Sequence, residues 1–237
     1  MKIFFIFALM AISVSLNAQT VILNQNDTTL SVEYRNGVQW AYREHNNLVL
    51  GVANVITKDD YGKYYQIHIY IKNLGETAIL FQPEKITSLL VTKKDKEKTL
   101  VVYTYEQYMR KIERKQELEM ALSGFAVGMN AAMAGNRTAH VSGWAPKTGF
   151  YSGTVHYYDY GAATAAQIAG YSYLDNLERD FNSDQVIKSQ GYLRITSVRP
   201  GEEIVGYINI KKKKGKILKL FIPIENYKYF FNWKLDK

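Results

Sequence analysis

The sequence predicts a mainly β protein with an α insertion: an immunoglobulin-like antiparallel β-sandwich interrupted by a helical hairpin. Three observations carry that expectation. Short apolar runs of period two fill residues 29–103 and return from residue 192. Turn residues break these runs roughly every 8 to 12 positions, the habit of sandwiches and barrels. Between the two blocks the apolar spacing changes to three and four, the period of a helix.

In chain order, residues 1–18 read as a signal peptide. Lys2 supplies the positive charge, Ile3 to Ile12 is unbroken apolar sequence, and Ala18 offers a small residue at the cut. That run is shorter than the roughly 20 apolar residues of a permanent span. The expected location is therefore the periplasm or beyond. The 237 residues include no cysteine, so lipid attachment through a thiol and disulfide bonds are both excluded. The remaining chain is long enough to bury a core without such staples. A formal charge of +8 favours anionic partners. Export and the scatter of basic residues set nucleic acid aside.

The sandwich is expected from residues 19–103 together with 186–237. Its clearest strand alternates Tyr65, Ile67, Ile69 and Ile71 with Gln66, His68, Tyr70 and Lys72. Such alternation sends one face to a core and the other to water. Further runs lie at 30–34, 38–43, 48–56, 86–92 and 100–103, separated by Asn36-Gly37, Asp59-Asp60 with Gly62, and Asn73 to Gly75. The second block offers strands at 192–198, 203–211, 216–224 and 227–235. In the last, Tyr227, Tyr229, Phe231, Trp233 and Leu235 share one face and read as core.

Residues 104–185 are expected to form the inserted helical hairpin. Thr104 and Gln107 stand at capping-box spacing, followed by Tyr105, Tyr108, Met109 and Ile112 at helical intervals. Glu106 with Arg110 and Lys115 with Glu119 are i, i+4 pairs. From Met120 to Gly135 the charges stop. A second helix is expected after Asp159, with Ala162, Ala165, Ala166 and Ala169 along it and Ile168, Tyr171, Leu174, Leu177 and Phe181 recurring. The connection, residues 136–160, is rich in Gly and Tyr and too long for an ordinary loop, which makes it either functional or mobile; a partly ordered tip is expected, a hairpin being one form it could take.

Groups that could carry chemistry are few. His45, His68, His140 and His156 form no helical metal pair, although His140 and His156 could meet across the hairpin. Nucleophile elbows, zinc-protease motifs and thiols are absent from the sequence. The expectation is no catalytic residue, no metal and no cofactor. Gly124 and Gly128, with Ala131, Ala132 and Gly135 nearby, would let another helix approach the backbone closely. That helix is either the second one of the hairpin or one from another copy. Trp144, Tyr151, His156, Tyr157 and Tyr158 are candidates for glycan or partner binding, and Lys211, Lys212, Lys213 and Lys214 for anionic headgroups or other polyanions.

The segments GFAVGMNAAMAGNRTAHVSG and YYDYGAATAAQIA, with a tail running from GYLRITSVRPGEEIVGYINIKKKKGKILKLFIPIENYKYFFNW, resemble a group of uncharacterised secreted proteins of Bacteroidetes-type bacteria. That resemblance implies an immunoglobulin-like sandwich with an Ala/Gly-rich helical insertion. It implies no activity and no site residues.

The functional expectation is a non-enzymatic cell-envelope protein mediating assembly or partner binding through its insertion and aromatic loop. The alternatives are a module binding glycan or polyanion, and a hydrolase whose site is assembled from distant residues. Expected partners are a protein or a second copy, or an anionic envelope component. Peripheral membrane contact is compatible with this and a transmembrane span in the mature chain is not.

Overall fold

The computed structural model describes residues 20–21, 30–35, 37–145 and 149–235. The signal peptide expected at residues 1–18 lies outside them. The strands are β1 Thr20–Val21, β2 Leu30–Arg35, β3 Val38–His45, β4 Leu48–Asp59, β5 Gly62–Asn73, β6 Ile79–Phe81, β7 Thr87–Val91 and β8 Glu97–Leu100. Helix α1 (Tyr105–Gly135), strands β9 (Asn136–Ala145) and β10 (Gly149–Tyr158) and helix α2 (Tyr160–Ser189) follow. The chain ends with β11 Thr196–Val198, β12 Glu203–Lys211, β13 Ile217–Ile224 and β14 Tyr227–Lys234. It is a mainly β fold: antiparallel sheets in a sandwich that carries a helical insertion.

Two compact units result. One holds residues up to 57, 63–102 and those from 195 on; the other holds 58–62 and 103–194. In the first, one five-stranded sheet runs β12-β5-β4-β3-β2 and another β1-β14-β13-β7-β8, with β11 and β6 as a small separate pair. Four consecutive strands thus meander within one sheet. Asn46 and Asn47, at φ 47° and 57°, make the tight turn from β3 to β4. Two left-handed residues in a row match the twist of a two-residue hairpin, and Asn tolerates that conformation better than most.

Ile67, Ile69 and Ile71 of β5 and Leu50 and Val52 of β4 are fully buried, as are Leu218, Leu220 and Ile222 of β13. Strand β14 adds Tyr229, Phe231 and Trp233. Tyr227 stays partly exposed and stacks on His45 at 3.8 Å between ring centres. Arg43 closes the same edge, its Nε donating to the Phe230 carbonyl at 2.9 Å while its guanidinium sits 5.7 Å from the Phe231 ring. Tyr65 lies beside this core and gives its hydroxyl to the Lys213 carbonyl at 2.5 Å; burial pushes that phenol up to about 12.

Two expected strands are shorter than their apolar pattern. Residues 100–103 leave the sheet after Leu100, with Val102 only bridging to Ile210. Of residues 192–198 only Thr196–Val198 is strand. Tyr192 instead stacks on Tyr108 at 5.1 Å and donates to the Tyr103 carbonyl at 2.8 Å. Aromatic packing within the helical unit takes Tyr103 and Tyr192 out of period two.

In the second unit, Thr104 and Gln107 form the capping box in both directions, each bond 3.2 Å long. Asp159 caps α2 by accepting from the Ala162 amide at 2.9 Å. At 31 and 30 residues the helices are each about 46 Å long. Strands β9 and β10 pair antiparallel, in register from Asn136 opposite Tyr158 to Ala145 opposite Gly149, and the tip expected between them lies outside the described residues. The pair springs from the helices without a loop: the Asp159 amide donates to the Gly135 carbonyl at 2.7 Å. A Cβ at Gly135 would fall 2.4 Å from the Tyr158 ring, so a larger residue there requires that ring to move.

Candidate functional site

Half-buried polar groups cluster around the buried Tyr108 and Gln116 of the helical unit. Asp59 receives the amides of Tyr61 and Gly62 at 2.9 Å on one oxygen, and the Tyr108 hydroxyl at 3.0 Å with the Lys188 ammonium at 3.2 Å on the other. Tyr61 donates to Asp184 at 2.5 Å and accepts from Gln116 at 2.8 Å, while Gln185 donates to Gln116 at 2.6 Å. Burial, then the bond to the Asp184 carboxylate, raises the Tyr61 phenol well above its ordinary range. Held protonated and saturated with partners, Tyr61 fixes the 58–62 turn between the helices. Its role is positional.

Beyond this cluster the packing changes character. Helix α1 buries Tyr108, Met109, Ile112, Gln116 and the glycine at its end; α2 buries no residue completely. The helices still meet closely, for a Cβ at Gly170 would fall 2.2 Å from Val127. Leu118, Leu122, Phe125, Met129 and Met133, however, face away from that seam, 49–70% exposed. Their spacing of four, three, four and four places them on one face of α1. Ile168 and Tyr171 are exposed on α2 as well, and Tyr160 at its start is the most exposed of all.

Between these walls runs an open groove of about 470 Å³. Gly124, Gly128, Ala131 and Ala132 form its floor, Gln167 and Tyr171 its other side, and Tyr158 and Tyr160 close one end. A Cβ at Gly124 or Gly128 would meet nothing within 4 Å. The helix approached by α1 within the chain comes in at Val127 and Gly170, and the glycine pair is left open. Residues 120–135 and 160–174 also carry no Asp, Glu, Lys or Arg, whereas 105–119 and 175–189 do.

The aromatic candidates are spread along the backbone of the hairpin. Trp144 stands opposite Phe150 and Tyr151 opposite Gly143, with Tyr157 and Tyr158 near the other end. Eight residues separate Trp144 from Asn136, about 26 Å along a strand. For Trp144 and Tyr151 the side chains lie outside the described residues. His140 and His156 lie on one ladder, and each bonds a threonine across the strands at 3.1 Å, His140 to Thr154 and His156 to Thr138. Among the described residues no group of three or more His, Asp or Glu is placed to hold a metal ion, and no helix is long and apolar enough to cross a membrane.

Lys211, Lys212, Lys213 and Lys214 lie in the sandwich unit with Lys63 and Lys98. The Lys212 amide donates to the Lys63 carbonyl at 3.0 Å. Burial, then Lys63 and Lys214, pulls the Lys212 ammonium below the ordinary lysine range. The nearby Lys98 does the same to Lys213. No family model, curated protein or solved structure matches the chain.

Proposed function

We propose that this is an exported, non-enzymatic assembly protein whose helical arm binds a second copy of the same chain. The distal halves would pair to form a four-helix bundle. One observation carries the reading: a stripe of large apolar side chains lies exposed beside a glycine-floored groove, where charge is absent. Leu122, Phe125, Met129, Met133, Tyr160, Ile168 and Tyr171 together expose on the order of 1,000 Å², against roughly 800 Å² per partner in a specific interface. The charge boundary at Glu119 and Asp175 favours overlap of distal half with distal half, because a shifted pairing would bury charged residues against apolar ones. Phe125 has the size to fill the groove of a facing copy, and Gly124 and Gly128 leave room for it.

Sedimentation equilibrium of the chain without residues 1–18 tests this, alongside Phe125→Glu/Met129→Glu. The expected result is a dimer for the former and a monomer of unchanged helical circular dichroism for the latter. A wild-type monomer at about 100 times a micromolar dissociation constant would sink the reading, as would a variant of unchanged mass.

The lysine cluster favours a second reading, a polyanion site on the sandwich unit. An ammonium depressed by a neighbouring lysine, as Lys213 is by Lys98, gains from an anion held between the two. Vesicles of phosphatidylglycerol should then retain the protein and phosphatidylcholine should not. Lys98→Ala/Lys213→Ala should release it, and equal retention of wild type and variant would refute that reading.

A further inference from the structure

We infer that the outer face of the sheet β12-β5-β4-β3-β2 is a binding platform for a neutral glycan. The face is paved where its middle strand offers almost no side chain. Strand β4 contributes Gly51 and Ala53, which stand opposite Tyr42 and Trp40 of β3. The Tyr42 ring lies over Gly51, where a Cβ would come within 2.5 Å of it. Trp40 and Tyr42 lie within 18° of a common orientation, 6.1 Å apart between centres. These two rings make a floor.

Strand β5 supplies a wall along it. Tyr70 stands at 76° to Tyr42 and His68 at 60° to Trp40, with centres 6.3 and 6.4 Å away. Tyr207 of β12 continues the row, 6.1 Å beyond His68. Covering Gly51 takes Tyr42 alone, a known device for protecting glycine in a sheet. It does not account for a floor of two rings bounded by three more.

The rim decides which ligand class fits. On one side Arg35 lies 5.5 Å from the Tyr42 ring and grips Glu33 through two bonds of 3.0 and 3.1 Å. On the other, Tyr70 donates to Glu203 at 2.9 Å, with the Lys72 ammonium 3.6 Å from the same oxygen. Each side thus presents both donors and acceptors while its charges cancel. An anion finds no net positive field there, and a cation no net negative one. A polyhydroxylated neutral ring matches both parts: its C–H face lies on the aromatic floor and its hydroxyls bond the carboxylates and guanidinium. A protein partner fits poorly, since these half-buried rings expose far less than the roughly 800 Å² a side that a specific protein interface buries.

The probe is affinity electrophoresis through gels containing pullulan, laminarin, xylan or galactomannan, run with wild type, Trp40→Ala, Trp40→Phe and Arg35→Ala. At least one polysaccharide should retard the wild type. Trp40→Ala should weaken that retardation about tenfold, the loss of one good stacking contact, Trp40→Phe should restore part of it, and the exposed Arg35→Ala should weaken it with unchanged melting. Retardation should persist from low salt to about 0.5 M, where screening removes polyanion contacts, and should also be seen in Phe125→Glu/Met129→Glu. Absence of retardation in all four gels overturns the inference. So does equal retardation of wild type, Trp40→Ala and Arg35→Ala, or retardation that salt abolishes.

Discussion

The sandwich and the helical arm use the same side chains to opposite ends. In β5, Ile67, Ile69 and Ile71 reach zero exposure, because period two aims every second residue at the opposing sheet. In α1, Leu118, Leu122, Phe125, Met129 and Met133 are as apolar and as regularly spaced, yet they stay in water. The difference is one of partners. A five-stranded sheet is faced across its width by another, whereas a helix paired with a single other helix satisfies one stripe and leaves the rest. Apolar periodicity therefore reports that a surface will be buried without saying by which chain.

The largest test of that contrast lies in the sandwich. Trp233→Ala removes a side chain that is 1% exposed between sheets, and should cost about 3–5 kcal/mol. Urea unfolding measures it. A loss under about 1 kcal/mol would mean that the sandwich is not the closed core described.

Within the arm, the seam is the next site in order of effect. Gly170→Leu drives a side chain into Val127, already 2.2 Å from where its Cβ would sit. Overpacking of this kind costs about 1–3 kcal/mol. The cost should show as an early thermal transition in far-ultraviolet circular dichroism. An unchanged helical melt would mean that the helices separate freely and the seam does not hold the arm.

Much of this was legible beforehand. The strand β5, the aromatic face of β14, the capping box at Thr104 and the change of period at residue 104 are local signals, written in neighbouring residues. The Asn46-Asn47 turn was readable in principle, since two consecutive Asn residues tolerate positive φ, but it lacks the glycine that marks the others. Two features were out of reach. The aromatic pavement depends on Gly51 and Ala53 being brought between Tyr42 and Tyr70 by strand register, a non-local fact. The glycine pair at 124 and 128 was visible, but which side of α1 faces α2 was not, because small and large apolar residues both recur there at helical spacing.

That ambiguity makes the glycines informative in the opposite sense to Gly170. Gly124→Ala/Gly128→Ala adds methyl groups into open space. Each should raise helix stability by about 0.5–1 kcal/mol. The same methyls stand on the groove floor, so the monomer should melt later while the dimer dissociates more readily. Calorimetry on dilute protein and sedimentation on concentrated protein measure the two terms separately. If stability and association rise together, the facing copy does not sit over these glycines.

The smallest effect is on pH dependence, and it belongs to the sandwich alone. His68 lies among Trp40, Tyr207 and the rest of the pavement, and burial lowers its pKa from the ordinary 6.5. Its neutral form is the folded form. The unfolded chain takes up the proton first, so the contribution to stability is complete above about 6.5 and is lost as pH falls toward the lower folded value. Neither Trp40 nor Tyr207 titrates in that window. The unfolding free energy of the wild type, measured against that of His68→Phe from about pH 7.5 to pH 5, should therefore decline relative to the variant. Residues 120–135 and 160–174 hold no group that titrates there, so the mass measured by sedimentation should not move over the same range. A dimer that dissociates between those pH values would locate the association outside the uncharged halves of the arm.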